Sequence, residues 1–258
     1  MKIKSAVSLA LLAGSVSCSS ISYPRHEEPE EAKYALLISG KTEERHIVNM
    51  SLIYSSLIAH GFSKEDICVL DGYGIGREFY DVNGAATREN VVSAFQELEN
   101  RIDSNDSVFV YVSDHGSRRF DDNGVEFATI SMHDSSLLDQ GTFASLVSRL
   151  DYQRGFFLFD QCYGGAFAQE LGYGNNIAIA ASEPDSVAYS TASGRSFSTY
   201  LMDAFENNAA DISHDSRISM QEAFDYAYNH FPMVWGGYEF PVIYTELDAD
   251  NIFFFDEE

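Results

Sequence analysis

Residues 107–117 read SVFVYVSDHGS and residues 155–165 read GFFLFDQCYGG. Each stretch begins as a continuous apolar run and breaks off into polar residues beside glycine. Unbroken apolar character, rather than alternation, marks strands buried on both faces, as in parallel sheets covered by helices. Three more runs share it: 34–39 (YALLIS), 66–70 (DICVL) and 176–181 (NIAIAA). Helical spacing fills the gaps. Residues 45–60 carry Ile47, Ile53 and Leu57 on one stripe, and Thr87 stands where it caps a helix with Val91, Phe95 and Leu98 inward. Asp139 or Thr142 opens another helix around Phe143 and Leu146, and residues 196–207 and 220–230 repeat the pattern. Strands alternating with helices predict βαβ units and one α/β sandwich with a mainly parallel sheet over residues 34–258. The turn-rich Asp121-Asp122-Asn123-Gly124 predicts a small hairpin over 124–132, inserted after the third strand.

The charge balance is lopsided. Lys and Arg number 16 against 40 Asp and Glu, a net charge of −24 in 258 residues, which excludes nucleic acid as a partner and disfavours a bare anionic membrane. A hydrophobic fraction of 45% with 19 Phe and 15 Tyr excludes disorder. The N-terminus stands apart. Met1-Lys2-Ile3-Lys4 is basic, residues 5–14 are mostly apolar but too short to span a bilayer, and small residues lead to Cys18. Residues 1–17 therefore read as a signal peptide, similar to a bacterial lipoprotein signal that would leave Cys18 lipidated, although Ser15 stands where that motif prefers Leu. Export follows, to the periplasm or outer membrane as a lipoprotein or by secretion, with membrane contact only through the lipid. Residues 18–33 read as an acidic tether. Three Cys make no disulfide framework, and Cys68 reads as a buried small hydrophobe.

In open α/β sheets ligands bind beyond the carboxyl ends of the strands. Ser113-Asp114-His115-Gly116-Ser117 and Asp160-Gln161-Cys162-Tyr163-Gly164-Gly165 stand at two such ends. If those strands are neighbours, His115 and Cys162 share a crevice, the pairing that a thiol nucleophile requires. The N–H groups of Gly116 and Cys162 are the candidate oxyanion donors. Gly164-Gly165 is expected to let the chain turn sharply after Cys162.

The stretches VFVYVSDHGS and FFLFDQCYGGAF resemble the caspase-like superfamily of cysteine peptidases, with His–Gly after one strand and Cys after the next, 162 − 115 = 47 residues on. Within it the legumain family, the asparaginyl endopeptidases, is most similar: its His motif reads Thr/Ser-Asp-His-Gly-Ser, and an Arg-His pair opens its first helix, as Arg45-His46 does here. The resemblance implies a caspase-like three-layer α/β/α sandwich, peptide-bond hydrolysis on peptide or protein substrates, a His115–Cys162 dyad and no required cofactor. It also implies a P1 pocket built from Arg45, beside His46, and from Asp160, two residues before the nucleophile. An Arg next to a carboxylate suits an amide such as Asn, whereas in metacaspases an Asp here receives Arg or Lys; Asn is favoured. Ser196 stands where legumains carry a second pocket acid, and Ser186 is expected to line the same pocket. A transpeptidase or ligase on the same dyad and a catalytically silent binding protein are the alternatives.

Residues 211–222 follow the spacing of an EF-hand loop. Asp211, Ser213, Asp215, Ser219 and Glu222 fall at oxygen-ligand positions, with the carbonyl of Arg217 at position seven. Ser216 replaces the usual Gly, so any structural calcium is expected to bind weakly. The alternative is a helix start with Ser219 as N-cap and Glu222 completing a capping box. The Ser- and Thr-rich loop 182–195 is the expected place for any proteolytic nick.

Overall fold

Strands β1 (Lys33–Ser39), β2 (Ile67–Asp71) and β3 (Ser107–Val112) pair in parallel with β1 in the middle. The structure is a computed structural model describing residues 31–255 apart from 73, 79 and 254. A second, antiparallel sheet holds β4 (Gly116–Phe120), β5 (Glu126–Ser131) and β6 (Leu137–Asp139). The main sheet continues from β3 through the parallel strands β7 (Arg154–Phe159) and β8 (Asn176–Ala180) to the antiparallel edge strand β9 (Val242–Thr245), in the order β2-β1-β3-β7-β8-β9.

Both faces of this sheet are dry. Along β3, Phe109 and Tyr111 face one apolar cluster while Val108, Val110 and Val112 face the other; along β7, Phe156 and Leu158 alternate with Phe157 and Phe159. The first cluster is covered by α1 (Glu44–Ala59), the second by α2 (Arg88–Arg101), α3 (Gln140–Val147) and α4 (Gly164–Leu171). Helices α5 (Phe197–Phe205) and α6 (Met220–His230), the latter followed by the short α7 (Pro232–Trp235), complete the first face. Helix starts follow the local chemistry: Thr87 accepts from the Asn90 N–H, and Asp139 accepts from the Thr142 N–H. Each fully buried Phe contributes about 1.5–3 kcal/mol, so the centre of the sheet is a stiff base for the loops at its end.

The five parallel strands and the sandwich agree with the sequence pattern. Two boundaries differ. The insertion is not a hairpin over 124–132 but a three-stranded sheet that starts at Gly116, directly after His115. The fold also begins before residue 34: the Ala32 N–H donates to Asp106 Oδ1 at 2.9 Å, and Ser107 Oγ donates to Glu31 Oε1 at 2.6 Å. Residues Glu31–Glu258 form one compact unit. The signal peptide, Cys18 and the tether up to residue 30 lie outside the described residues. Among the described residues, no helix is long and apolar enough to cross a membrane.

Candidate active site

Strands β3 and β7 run in register from Ser107 opposite Arg154 to Val112 opposite Phe159. His115 and Cys162 each stand three residues beyond the last pair (115 − 112 = 162 − 159 = 3). Two adjacent strands ending at the same level thus bring both side chains to one end of the sheet. Both line one cleft, together with Arg45, His46, Asp160, Ala188, Tyr189 and Ser196. Cys162 is half-buried, and its Sγ accepts the Ala188 N–H at 3.4 Å. The other described thiol differs: burial pushes Cys68 up to about 11. Cys68 is half-buried rather than sealed in the core.

Gly116 is required by contact. A Cβ there would lie 1.9 Å from the carbonyl oxygen of Cys162, so any side chain would force the two loops apart. Its N–H is also directed usefully. The Ser131 N–H donates to His115 O, which makes those two residues a hydrogen-bonded pair. Gly116 and Ile130 are the next pair, so by antiparallel alternation the Gly116 N–H points away from β5. The sharp turn after Cys162, expected from Gly164-Gly165, is made instead by Tyr163, whose φ of 62° lies in the left-handed region. The glycines serve close approach: a Cβ on Gly165 would lie 2.6 Å from Ser182 O and from Pro184 N.

The start of α1 surrounds the imidazole. Glu43 Oε1 is 3.2 Å from His115 Nε2, and Arg45 Nη2 lies 3.1 and 3.3 Å from the two ring nitrogens. Glu43 Oε2 lies 3.1 Å from His46 Nε2, while His46 Nδ1 meets Ser113 Oγ at 3.0 Å. Burial, helped by the Arg45 charge, pushes His46 down to about 4, so it is neutral at physiological pH. Burial works against ionisation of Glu43, but the hydrogen bond and charge of His115, with His46 and Arg45, hold its carboxyl below the ordinary range.

Asp160 is buried beneath the cleft. Its Oδ2 accepts from Tyr111 Oη at 2.6 Å and from the hydroxyls of Ser196 and Ser198, and its Oδ1 accepts the Ser198 N–H at 3.2 Å. Burial pushes its carboxyl upward against these bonds. Two further buried acids flank the site. Asp114 accepts the N–H groups of Gly40 and His115, and burial pushes it up to about 7. Glu239 accepts the Tyr189 N–H at 2.6 Å, and burial pushes it up to about 9. At the rim of the cleft, the exposed rings of Tyr189 and Tyr238 meet edge to face at 6.2 Å.

Sequence reasoning missed Glu43, although it directly precedes Glu44-Arg45-His46. Glu239 carries no local signal at all, being brought in by a loop that no motif marks. Ser186 is not part of the lining; its carbonyl accepts the Tyr163 N–H at 2.8 Å, so it holds the loop rather than the pocket. In the loop 211–222 the capping box is formed, with the Ser219 side chain accepting the Glu222 N–H and Glu222 Oε2 accepting the Ser219 N–H. Asp211 accepts the N–H groups of Asp215 and Ser216, Asp215 accepts that of Arg217, and Glu222 Oε1 accepts that of Ser213.

Two comparisons bear on this geometry. The chain is similar in fold to the crystal structure of protein GSU0716 from Geobacter sulfurreducens, with a TM-score of 0.55 and 12% identity over 83% of this chain and 92% of that one. No curated protein sequence matches it. The model of the Peptidase C13 family matches residues 77–233, more than half of the chain, a range that includes His115, Asp160 and Cys162. With its sandwich of caspase-like type, the chain belongs to the peptidase C13 family, the legumain family of cysteine peptidases.

Proposed function

We propose that this protein is an exported cysteine endopeptidase working through a His115–Cys162 dyad, with preference for Asn at P1. The observation that carries the reading is the shared cleft at the ends of two neighbouring strands. Cys162 attacks the scissile carbonyl, and the N–H groups of Gly116 and Cys162 receive the oxyanion. His115 protonates the leaving amine, then draws a proton from the water that releases the acyl-enzyme. Glu43, hydrogen-bonded at His115 Nε2, is the positioning residue that holds the ring.

The choice of Asn rests on how Asp160 is used. A cationic P1 side chain needs a free carboxylate, whereas Oδ2 of Asp160 already takes three hydroxyl donors and burial disfavours its charge. Arg45 adds a positive charge to the lining. An amide offers a carbonyl acceptor to Arg45 and an amino group that donates toward Asp160. The leader of residues 1–17 supports export, and lipidation of Cys18 would anchor the enzyme to a membrane. A positional-scanning peptide library tests the function, run beside Cys162→Ala. Cleavage after Asn should exceed cleavage after Arg or Lys by at least about tenfold, a difference of 1.4 kcal/mol. The opposite preference overturns the pocket assignment, and equal turnover by Cys162→Ala overturns the dyad.

A further inference from the structure

We infer that Glu43, His46 and His115 form a site for a zinc-type divalent cation, and that the metal-loaded enzyme is inactive. Occupancy stands on geometry alone, whereas inactivation rests on the peptidase reading. One ligand atom from each residue lies within 4.8 Å of the other two. Glu43 already approaches both rings, at 3.1 Å from His46 Nε2 and 3.2 Å from His115 Nε2. Tetrahedral zinc with bonds of about 2.0–2.1 Å separates its ligands by about 3.3 Å, so modest side-chain movement closes the shell. Two imidazoles and a carboxylate leave a fourth position open, and both imidazoles line the cleft that also holds Cys162.

His46 supplies an independent pointer. It is 4% exposed, and its Nε2 is buried without a hydrogen bond of acceptable geometry, even though a Glu43 oxygen is close. A buried nitrogen whose one close neighbour is a misaligned carboxylate is poorly satisfied, at a cost of up to about 1–3 kcal/mol, and a cation would satisfy it. The opposite nitrogen, Nδ1, is held by Ser113 Oγ at 3.0 Å, the outer contact that fixes the ring and tautomer of a metal-binding histidine. The Arg45 guanidinium, now against His115, has to swing away as the cation enters; Arg45 is part of the cleft lining rather than of the core. The catalytic consequence is direct. An imidazole nitrogen donated to zinc is unable to take or give a proton, so peptide hydrolysis stops until the metal leaves.

The test uses the mature chain, stripped with EDTA and titrated with zinc sulfate in a calorimeter. Cys162→Ala protein should bind one zinc, and adding His46→Ala or Glu43→Gln should each weaken binding at least about tenfold. Glu43 is exposed at the helix start, so its variant guards against a loss caused merely by misfolding. In the peptidase assay, zinc should inhibit reversibly, and His46→Ala should need at least about tenfold more metal for half-inhibition. No binding by the Cys162→Ala protein, or binding unchanged by both ligand variants, overturns the site and assigns any inhibition to the thiol. Zinc bound by Cys162→Ala, with no peptidase activity in the unsubstituted chain, keeps the site and overturns the peptidase reading instead.

Discussion

In the loop 211–222 the carboxylates of Asp211, Asp215 and Glu222 accept N–H groups of their own loop, whereas around the cleft several buried side-chain atoms make no hydrogen bond of good geometry. Among the described residues, the buried side-chain nitrogen and oxygen atoms without a hydrogen bond of good geometry are His46 Nε2, which has only the close Glu43 carboxylate, both amide atoms of Gln161 and Glu239 Oε1. His46 lines the cleft, Gln161 precedes Cys162 in the chain, and Glu239 holds the cleft residue Tyr189. Both regions are rich in Asp, Glu, Ser and His, so residue type does not separate them. Unspent hydrogen-bonding capacity does, because buried polar atoms are normally paired and exceptions call for an explanation.

The sharpest way to break this contrast is to remove the nucleophile. Cys162→Ala should lower kcat/KM by at least about 10⁴-fold, as loss of a triad member does in other hydrolases; asparaginyl-peptide turnover measures it, and a loss below tenfold would place the chemistry elsewhere. Gly116→Ala comes next. Its added methyl collides with the Cys162 carbonyl, so activity should fall about 10²–10³-fold through the displaced oxyanion donor, with circular dichroism showing a retained fold. Thiol labelling gives a smaller effect: iodoacetamide should modify Cys162 at least about tenfold faster than Cys68, whose thiol burial holds largely protonated, as mass spectrometry of the two peptides would show.

Glu239 predicts a pH dependence with a definite sign. Its carboxyl rises from an ordinary 4.5 to about 9 in the folded chain, so the folded state holds the proton more tightly. The stability it confers is complete below about 4.5 and is lost as pH climbs through 9. Glu239→Gln should flatten that decline and raise Tm at pH 9 by more than about 2–4 °C, equivalent to about 1 kcal/mol in a domain of this size; differential scanning calorimetry reads it. The smallest effect concerns the loop. Since its carboxylates are already occupied, millimolar Ca²⁺ should move Tm by less than about 2 °C, and a larger shift that disappears in Asp211→Ala would establish a calcium site there.

The fold was legible because parallel strands buried on both faces leave an unmistakable apolar pattern: YALLIS, SVFVYV and GFFLF need no tertiary information to be read. The antiparallel edge strand β9 was not, since Val242–Thr245 is four half-buried residues without that signature. At the site, His115 and Cys162 were legible because each ends a strand beside glycine. Glu43 was within reach of the same reasoning, but nothing local says that a helix start will fold against a distant imidazole. Glu239 was beyond reach. Its burial depends on the packing of the Tyr189 loop, which brings together residues 50 positions apart. Ser186 failed for the related reason that its backbone, not its side chain, faces the nucleophile loop.

That Tyr189 loop has one more consequence. The Ser186 carbonyl, the Ala188 N–H and the Ser196 hydroxyl fasten it to Tyr163, Cys162 and Asp160 in the unbroken polypeptide. A proenzyme whose pocket assembles only after scission would leave this segment unanchored until the cut. Here the segment is already fastened with the polypeptide uncut, so a cut within 182–195 would loosen the binding wall rather than build it.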